Sequence, residues 1–281
     1  MWPESERLHR EFLHSFEETG ADSPDEYAFL YRSLSNVCTK QGFHSDAEVF
    51  LSKFWDWFQN SEPDQEEETV EVMAELARAY ARTGKFDVAN QFISRMQAIS
   101  ESLFPDDDYD YEDNRDILCA SARADVMFLA CQREEAADLK QKYVDLQPTD
   151  LDAVLALLDM YETIGECSKA AKALPLAIGA AWILKTQSSP EVHQMAIAKV
   201  ATYDSRIHTA IGDFELAQEQ ATLAVNRASK WDLGNFTYAE TYRNALQAMM
   251  TLYETLGRDR EREETRLKDI LRNLDRIYRK A

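Results

Sequence analysis

The chain of 281 residues is poor in helix breakers, with only 8 glycines and 7 prolines. That scarcity argues against a turn-rich β protein, which spends both residues freely. Cysteine is scarce too. Cys38, Cys119, Cys131 and Cys167 stand far apart without C-x-x-C spacing, each where a helix would place a small apolar residue. A reduced, cytosolic compartment is the expectation, with no disulfide framework. Long apolar runs are missing. The longest, 173–184, is interrupted by Pro175 and falls short of the roughly 18 apolar residues of a membrane span. Residues 1–10 are charged and have no apolar core, unlike a signal peptide.

Motifs of catalysis are absent as well. The five histidines form no H-E-x-x-H or H-x-E…C-x-x-C arrangement, and His208 falls on an aromatic core slot. There is no glycine-rich phosphate loop and no G-x-S-x-G elbow. The alternating acids Asp106, Asp108, Asp110 and Glu112 lack the glycine and distal glutamate of a calcium loop and read as a disordered acidic segment. The expectation is therefore a protein that is not an enzyme, with no cofactor and no metal.

Plentiful Ala, Leu, Glu, Arg and Gln favour helix. Net charge is −20, and residues 258–281 hold nine Lys/Arg against six Asp/Glu, which leaves −23 on the first 257. So acidic a body repels nucleic acid and anionic membrane.

The best-formed stretch is Glu71–Met96. Met73, Leu76 and Tyr80 share one helix face beside small Ala77 and Ala81. Gly84 turns the chain, and Phe86, Ala89, Ile93 and Met96 repeat the period on a second helix. The same slots recur around Gly42 (Leu34, Ser35, Ala47, Leu51), Gly165 (Leu157, Tyr161, Ala170, Leu174), Gly212 (Ser205, His208, Phe214, Ala217) and Gly257 (Met249, Met250, Tyr253). Between the second and third of these glycines, Cys131 occupies the glycine slot of a degenerate unit that keeps Ala124 and Ala136 but has Arg123 where leucine is expected. Successive spacings are 42, 47, 34, 47 and 45 residues, a period that indicates a helical solenoid.

By these residues the chain resembles the tetratricopeptide (TPR) repeat superfamily. Leu76-Ala77-Tyr80-Gly84-Phe86-Ala89 matches the motif fully and Leu157-Tyr161-Gly165-Ala170 nearly so. The long spacing is similar to the subset with units of about 42 residues found in kinesin light chains and some bacterial regulators. The resemblance implies an all-α, right-handed solenoid of about six hairpins, with residues 24–257 as the array. Residues 1–23 would form an N-terminal amphipathic helix and 258–281 a capping helix. It further implies a concave groove lined by first helices, where proteins of this class hold a peptide or helix as scaffolds, adaptors or chaperone cofactors.

Positions ten, six and two before each turn residue form one face of each first helix, distinct from the buried stripe. They are Arg32, Asn36 and Lys40; Ala74, Arg78 and Arg82; Ser121, Asp125 and Leu129; Leu155, Asp159 and Thr163; Thr202, Arg206 and Ala210; and Gln247, Thr251 and Thr255. The first two repeats thus project Arg32, Lys40, Arg78 and Arg82 with Asn36. That set is the candidate partner-binding site for an acidic or extended protein segment, unless the charges are solvated or held by the chain's own acids. Arg32 and Asn36 resemble half of a carboxylate clamp, but Glu75, Leu118 and Ala122 do not complete it.

Phe54 and Phe58 fall on the core stripe, whereas Trp55 and Trp57 pack against the chain or face a partner. The alternative to a groove binder is a structural subunit that uses lateral or terminal surfaces within an assembly. The C-terminal stripe Leu267, Ile270, Leu271, Leu274 and Ile277 either caps the array or supports such association, self-association included.

Overall fold

The computed structural model describes Glu11, His14 and residues 24–40, 42–61, 66–103, 114–230, 236–257, 265 and 267–272. Apart from Glu11 and His14, the expected N-terminal helix lies outside the described residues, as do the acidic stretch 104–113 and Leu274 and Ile277 of the C-terminal stripe. The regular elements are all helices: α1 (Pro24–Lys40), α2 (His44–Ser61), α3 (Glu66–Arg82), α4 (Phe86–Leu103), α5 (Asn114–Leu129), α6 (Arg133–Leu146), α7 (Leu151–Thr163), α8 (Cys167–Gln187), α9 (Pro190–Ile211), α10 (Phe214–Ala228) and α11 (Phe236–Leu256). They follow one another as hairpins, as the repeat pattern requires.

The turn slot explains the hairpins. Gly42, Gly84, Gly165, Gly212 and Gly257 all take φ between 79° and 87°, and Cys131 takes φ 66° as the one non-glycine with positive φ among the described residues. A residue in this left-handed conformation lets its own amide and the next one return to the helix's last carbonyls. At the second turn Gly84 N donates to Ala81 O at 3.0 Å and Lys85 N to Tyr80 O at 2.9 Å. Cys131 N and Gln132 N repeat the pair to Phe128 O and Met127 O at 3.1 and 2.9 Å. Helix starts are capped where the sequence offers an acceptor. Ser189 Oγ accepts from Val192 N, with Pro190 in the first turn of α9, and Asp150 accepts from Ala153 N.

The chain gathers into two compact units, residues 2–143 and 144–281, with the boundary inside α6. In the first, α1 packs on α2, α2 on α3, and α3 on both α4 and α5. Its core joins Leu51, Phe54, Trp55 and Phe58 to Met73, Leu76, Ala77, Ile93 and Met96. Trp55 is buried and meets Phe92 edge-on at 5.9 Å, while Trp57 is partly buried and stacks on Phe54 at 5.9 Å. Both tryptophans therefore pack against the chain. Arg123, in a leucine slot, is exposed.

In the second unit α9 packs on α8, α10 and α11, and α7 packs on α8 and α9. Asp204 takes the leucine slot of its repeat and His208 the aromatic slot. Their side chains meet at 3.2 Å, so a polar pair replaces the usual apolar one. Leu267 is buried in a cluster with Met249, Leu252 and Tyr253, with Ile270 and Leu271 alongside.

Pro175 breaks the apolar run but not the helix: α8 runs 21 residues straight through it. Proline removes one backbone hydrogen bond, but Ala170, Ala173, Ala177, Ala180 and Ala181 bury one face of α8 and hold the helix on both sides of the defect. Among the described residues α8 is also the helix long and apolar enough, by length and composition, to cross a membrane.

Candidate functional site

Successive first helices lie side by side in each unit, α3 beside α5 and α9 beside α7 and α11. The face of charged and polar positions marked in the sequence is where they join, and ion pairs join them. Arg32 on α1 reaches three glutamates of α3. Its Nη2 donates to Glu75 Oε1 at 2.8 Å and its Nε to Glu75 Oε2 at 3.4 Å, with Glu71 and Glu68 at 3.6 and 3.5 Å. Burial alone would lower the guanidinium pKa, but the three carboxylates outweigh it and raise it. Glu75, which could not complete a clamp for a ligand carboxylate, supplies the carboxylate itself.

Arg78 on α3 is held the same way. Its Nε donates to Asp125 Oδ2 on α5 at 2.7 Å, and Lys140 of α6, only 2% exposed, meets Asp125 Oδ1 at 2.7 Å. Lys140 Nζ also donates to Ser121 Oγ at 2.8 Å. Burial pushes the Asp125 carboxyl up, but Lys140 and Arg78 more than offset it and hold it below the ordinary aspartate value.

The second unit repeats this clasp with the signs exchanged. Arg206 on α9 lies 2.6 Å from Glu162 Oε2 and 3.8 Å from Asp159 Oδ1 on α7. Arg78 and Asp125 both stand six residues before their turn residues, as do Asp159 and Arg206, and each pair is 47 residues apart. Burial drives Glu162 up to about 7; Arg206 opposes the shift and Asp159 adds to it.

Of the partner-binding candidates, then, Arg32 and Arg78 are engaged by internal carboxylates. Asn36 is exposed, and the side chain of Lys40 lies outside the described residues. Arg82 is different. It is exposed and has no hydrogen bond or ion pair with another described residue. Desolvation and the neighbouring Arg78 hold its guanidinium below the ordinary arginine value, with Asp125 opposing them, and it stays charged at neutral pH.

In the second unit the first helices enclose a cavity of 290 Å³ between α7, α9 and α11. Leu155, Thr202 and Arg206 line it as the spacing marked them, joined by Lys199, Tyr203 and Asn244. Lys199 has no ionic or hydrogen-bond partner among the described residues, so it matches Arg82. The periodic reading missed these three because it took fixed offsets, whereas α9 and α11 turn a wider face inward. A lysine one turn ahead of Thr202–Arg206 was the available signal.

Among the described residues no cluster of three or more His, Cys, Asp or Glu is placed to hold a metal. No protein-family model matches the chain, and neither does any curated protein. Among solved structures, a kinesin light chain TPR-like repeat protein of Podospora anserina aligns over 75% of this chain and 98% of its own, at 19% identity and a TM-score of 0.47. A tetratricopeptide repeat protein from Parabacteroides merdae aligns over 86% and 99%, at 13% identity and a TM-score of 0.42.

Proposed function

We propose that this chain is a non-enzymatic scaffold or adaptor that holds an acidic or extended protein segment against its first helices. The observation that carries the reading is cationic charge left without an ion pair on that face. Among the described residues Arg82 in one unit and Lys199 in the other form no ion pair or hydrogen bond, although Asp125 acts on Arg82 at longer range and Asp152 and Glu240 line the same cavity as Lys199, in a chain that carries −20. A cation without an ion-pair partner gains from an incoming carboxylate. Asn36 and Asn244 add the donor and acceptor pairs that recognise an extended backbone. A cytoplasmic setting belongs to the same reading and is supported by Cys38 and Cys119, which are buried as thiols and not joined in a disulfide.

The test begins with affinity purification of the intact chain from its host and mass spectrometry of what accompanies it. The charge-reversed double variant Arg82→Glu, Lys199→Glu is expected to lose the co-purifying protein while its helical circular dichroism stays unchanged. Undiminished recovery with that variant would sink the reading. Arg78 is left intact, because reversing it would set a second carboxylate against Asp125. The alternative of a structural subunit docking through its C-terminal stripe is weakened by Leu267, which is already buried in the array.

A further inference from the structure

The second helices of the second unit carry a surface that the first-helix reading does not use. Both α8 and α10 pack on α9, and each is joined to it by a short turn, so the two run in the same direction with α9 reversed beneath them. Between them lies a trough of 440 Å³. Its walls are apolar, Ile178 and Trp182 from α8 and Leu223 from α10, over Ile197 of α9. Trp182 is 56% exposed, and Ile178 and Ile183 beside it are exposed too. A large aromatic left this open is costly in water and marks a contact surface.

The trough is also polarised. Lys185 stands in the last turn of α8 and Arg227 in the last turn of α10, so the parallel course of these helices brings both cations to one end. Asp204 lies further along the reversed α9, towards the other end. Lys185 Nζ sits over the Trp182 ring at 5.1 Å, and Arg227 Nη1 donates to the neutral Gln194. Neither meets a carboxylate among the described residues. In a chain of −20, whose Arg32, Arg78 and Arg206 all find one, that is a departure from the local rule.

We propose that this trough is a second docking site, which takes an amphipathic helix of a partner protein with its apolar stripe over Trp182 and its carboxylates at the Lys185–Arg227 end. Two parallel helices over a third form the groove into which a helix of period 3.6 packs, and the cations at one end set the direction in which it lies. A second copy of this chain would bring its own strong negative charge against the acidic body, and a lipid surface is flat where the trough is hollow.

The test pans a displayed library of helical peptides on the intact chain, after depletion on Trp182→Ala. Because Trp182 is exposed, that variant is expected to keep the wild-type melting temperature. Ile178→Glu serves as a second depletion target. Peptides that survive depletion should carry large apolar residues at i, i+4 and i+7 with Asp or Glu gathered towards one end. Their affinity should fall about tenfold or more in Lys185→Glu, Arg227→Glu, as loss of two interfacial charge contacts implies. It should be unchanged in Arg82→Glu, Lys199→Glu, so the two sites fail or stand independently. The proposal is overturned if no peptide survives depletion, or if survivors lack carboxylates or bind the charge-reversed variant equally. It is also overturned if Trp182→Ala instead abolishes self-association in sedimentation or binding to phosphatidylcholine vesicles.

Discussion

At the residue scale, the turn slot shows how one backbone angle governs a repeat. A side chain at positive φ costs about 1–2 kcal/mol for residues other than glycine, and Cys131 bears that cost at φ 66°. Replacing it by glycine removes the strain but gives the unfolded chain more freedom, a loss of roughly 0.5–1 kcal/mol. The balance favours the variant. Cys131→Gly is expected to raise the melting temperature by roughly 1–3 °C, read by circular dichroism, and a lower value would contradict the strain argument. At Gly84 a Cβ would meet nothing within 4 Å, so the cost of an alanine there is conformational alone.

At the scale of elements, the two clasps between first helices share a design and differ in strength. Asp125 anchors Lys140, a side chain only 2% exposed. Its removal strips a buried ammonium of its carboxylate, which costs about 3–5 kcal/mol. Asp159 is 52% exposed and 3.8 Å from Arg206, where an ion pair contributes about 1 kcal/mol or less. Urea denaturation should accordingly show a large loss of stability for Asp125→Ala and almost none for Asp159→Ala. Glu162 adds a pH dependence to the second clasp. Its folded value of about 7 lies above the ordinary 4.5, so the folded chain holds the proton more tightly than the unfolded chain does. Its contribution is therefore full below about pH 4.5 and is lost as pH rises to about 7, on the order of 1–2 kcal/mol after allowing for solvent screening. Glu162→Gln should flatten the decline of melting temperature between pH 5 and 7.5. An unchanged slope would place the proton elsewhere.

Helices and turns were readable because they obey local chemistry: Gly84 and Ser189-Pro190 carry their instructions within a few residues. The clasps were not, because Arg78 and Asp125 are 47 residues apart, and only knowing which helices adjoin makes them partners. Opposite charges at matching offsets in consecutive repeats were the clue. Pro175 is tolerated for a reason that is equally non-local. A proline is judged by its neighbours in sequence, whereas α8 is held by alanines packed on other helices.

At the scale of the whole molecule, each unit has a core of its own. One draws on residues between Leu51 and Val126, another on residues between Ala217 and Leu271. In repeat architectures stability is a sum over neighbours, so a local defect spreads only as far as the contacts that share it. Asp125→Ala supplies such a defect within the first unit. Hydrogen exchange followed by mass spectrometry should then show faster exchange in peptides from 66–82 and 114–129, which the clasp joins, with rates in 190–211 unchanged. Equal acceleration in both sets would mean that the chain opens as one cooperative body. The result also bears on binding, because independent units allow the acid-seeking face around Arg82 and the trough beside Trp182 to be filled separately, each by its own partner.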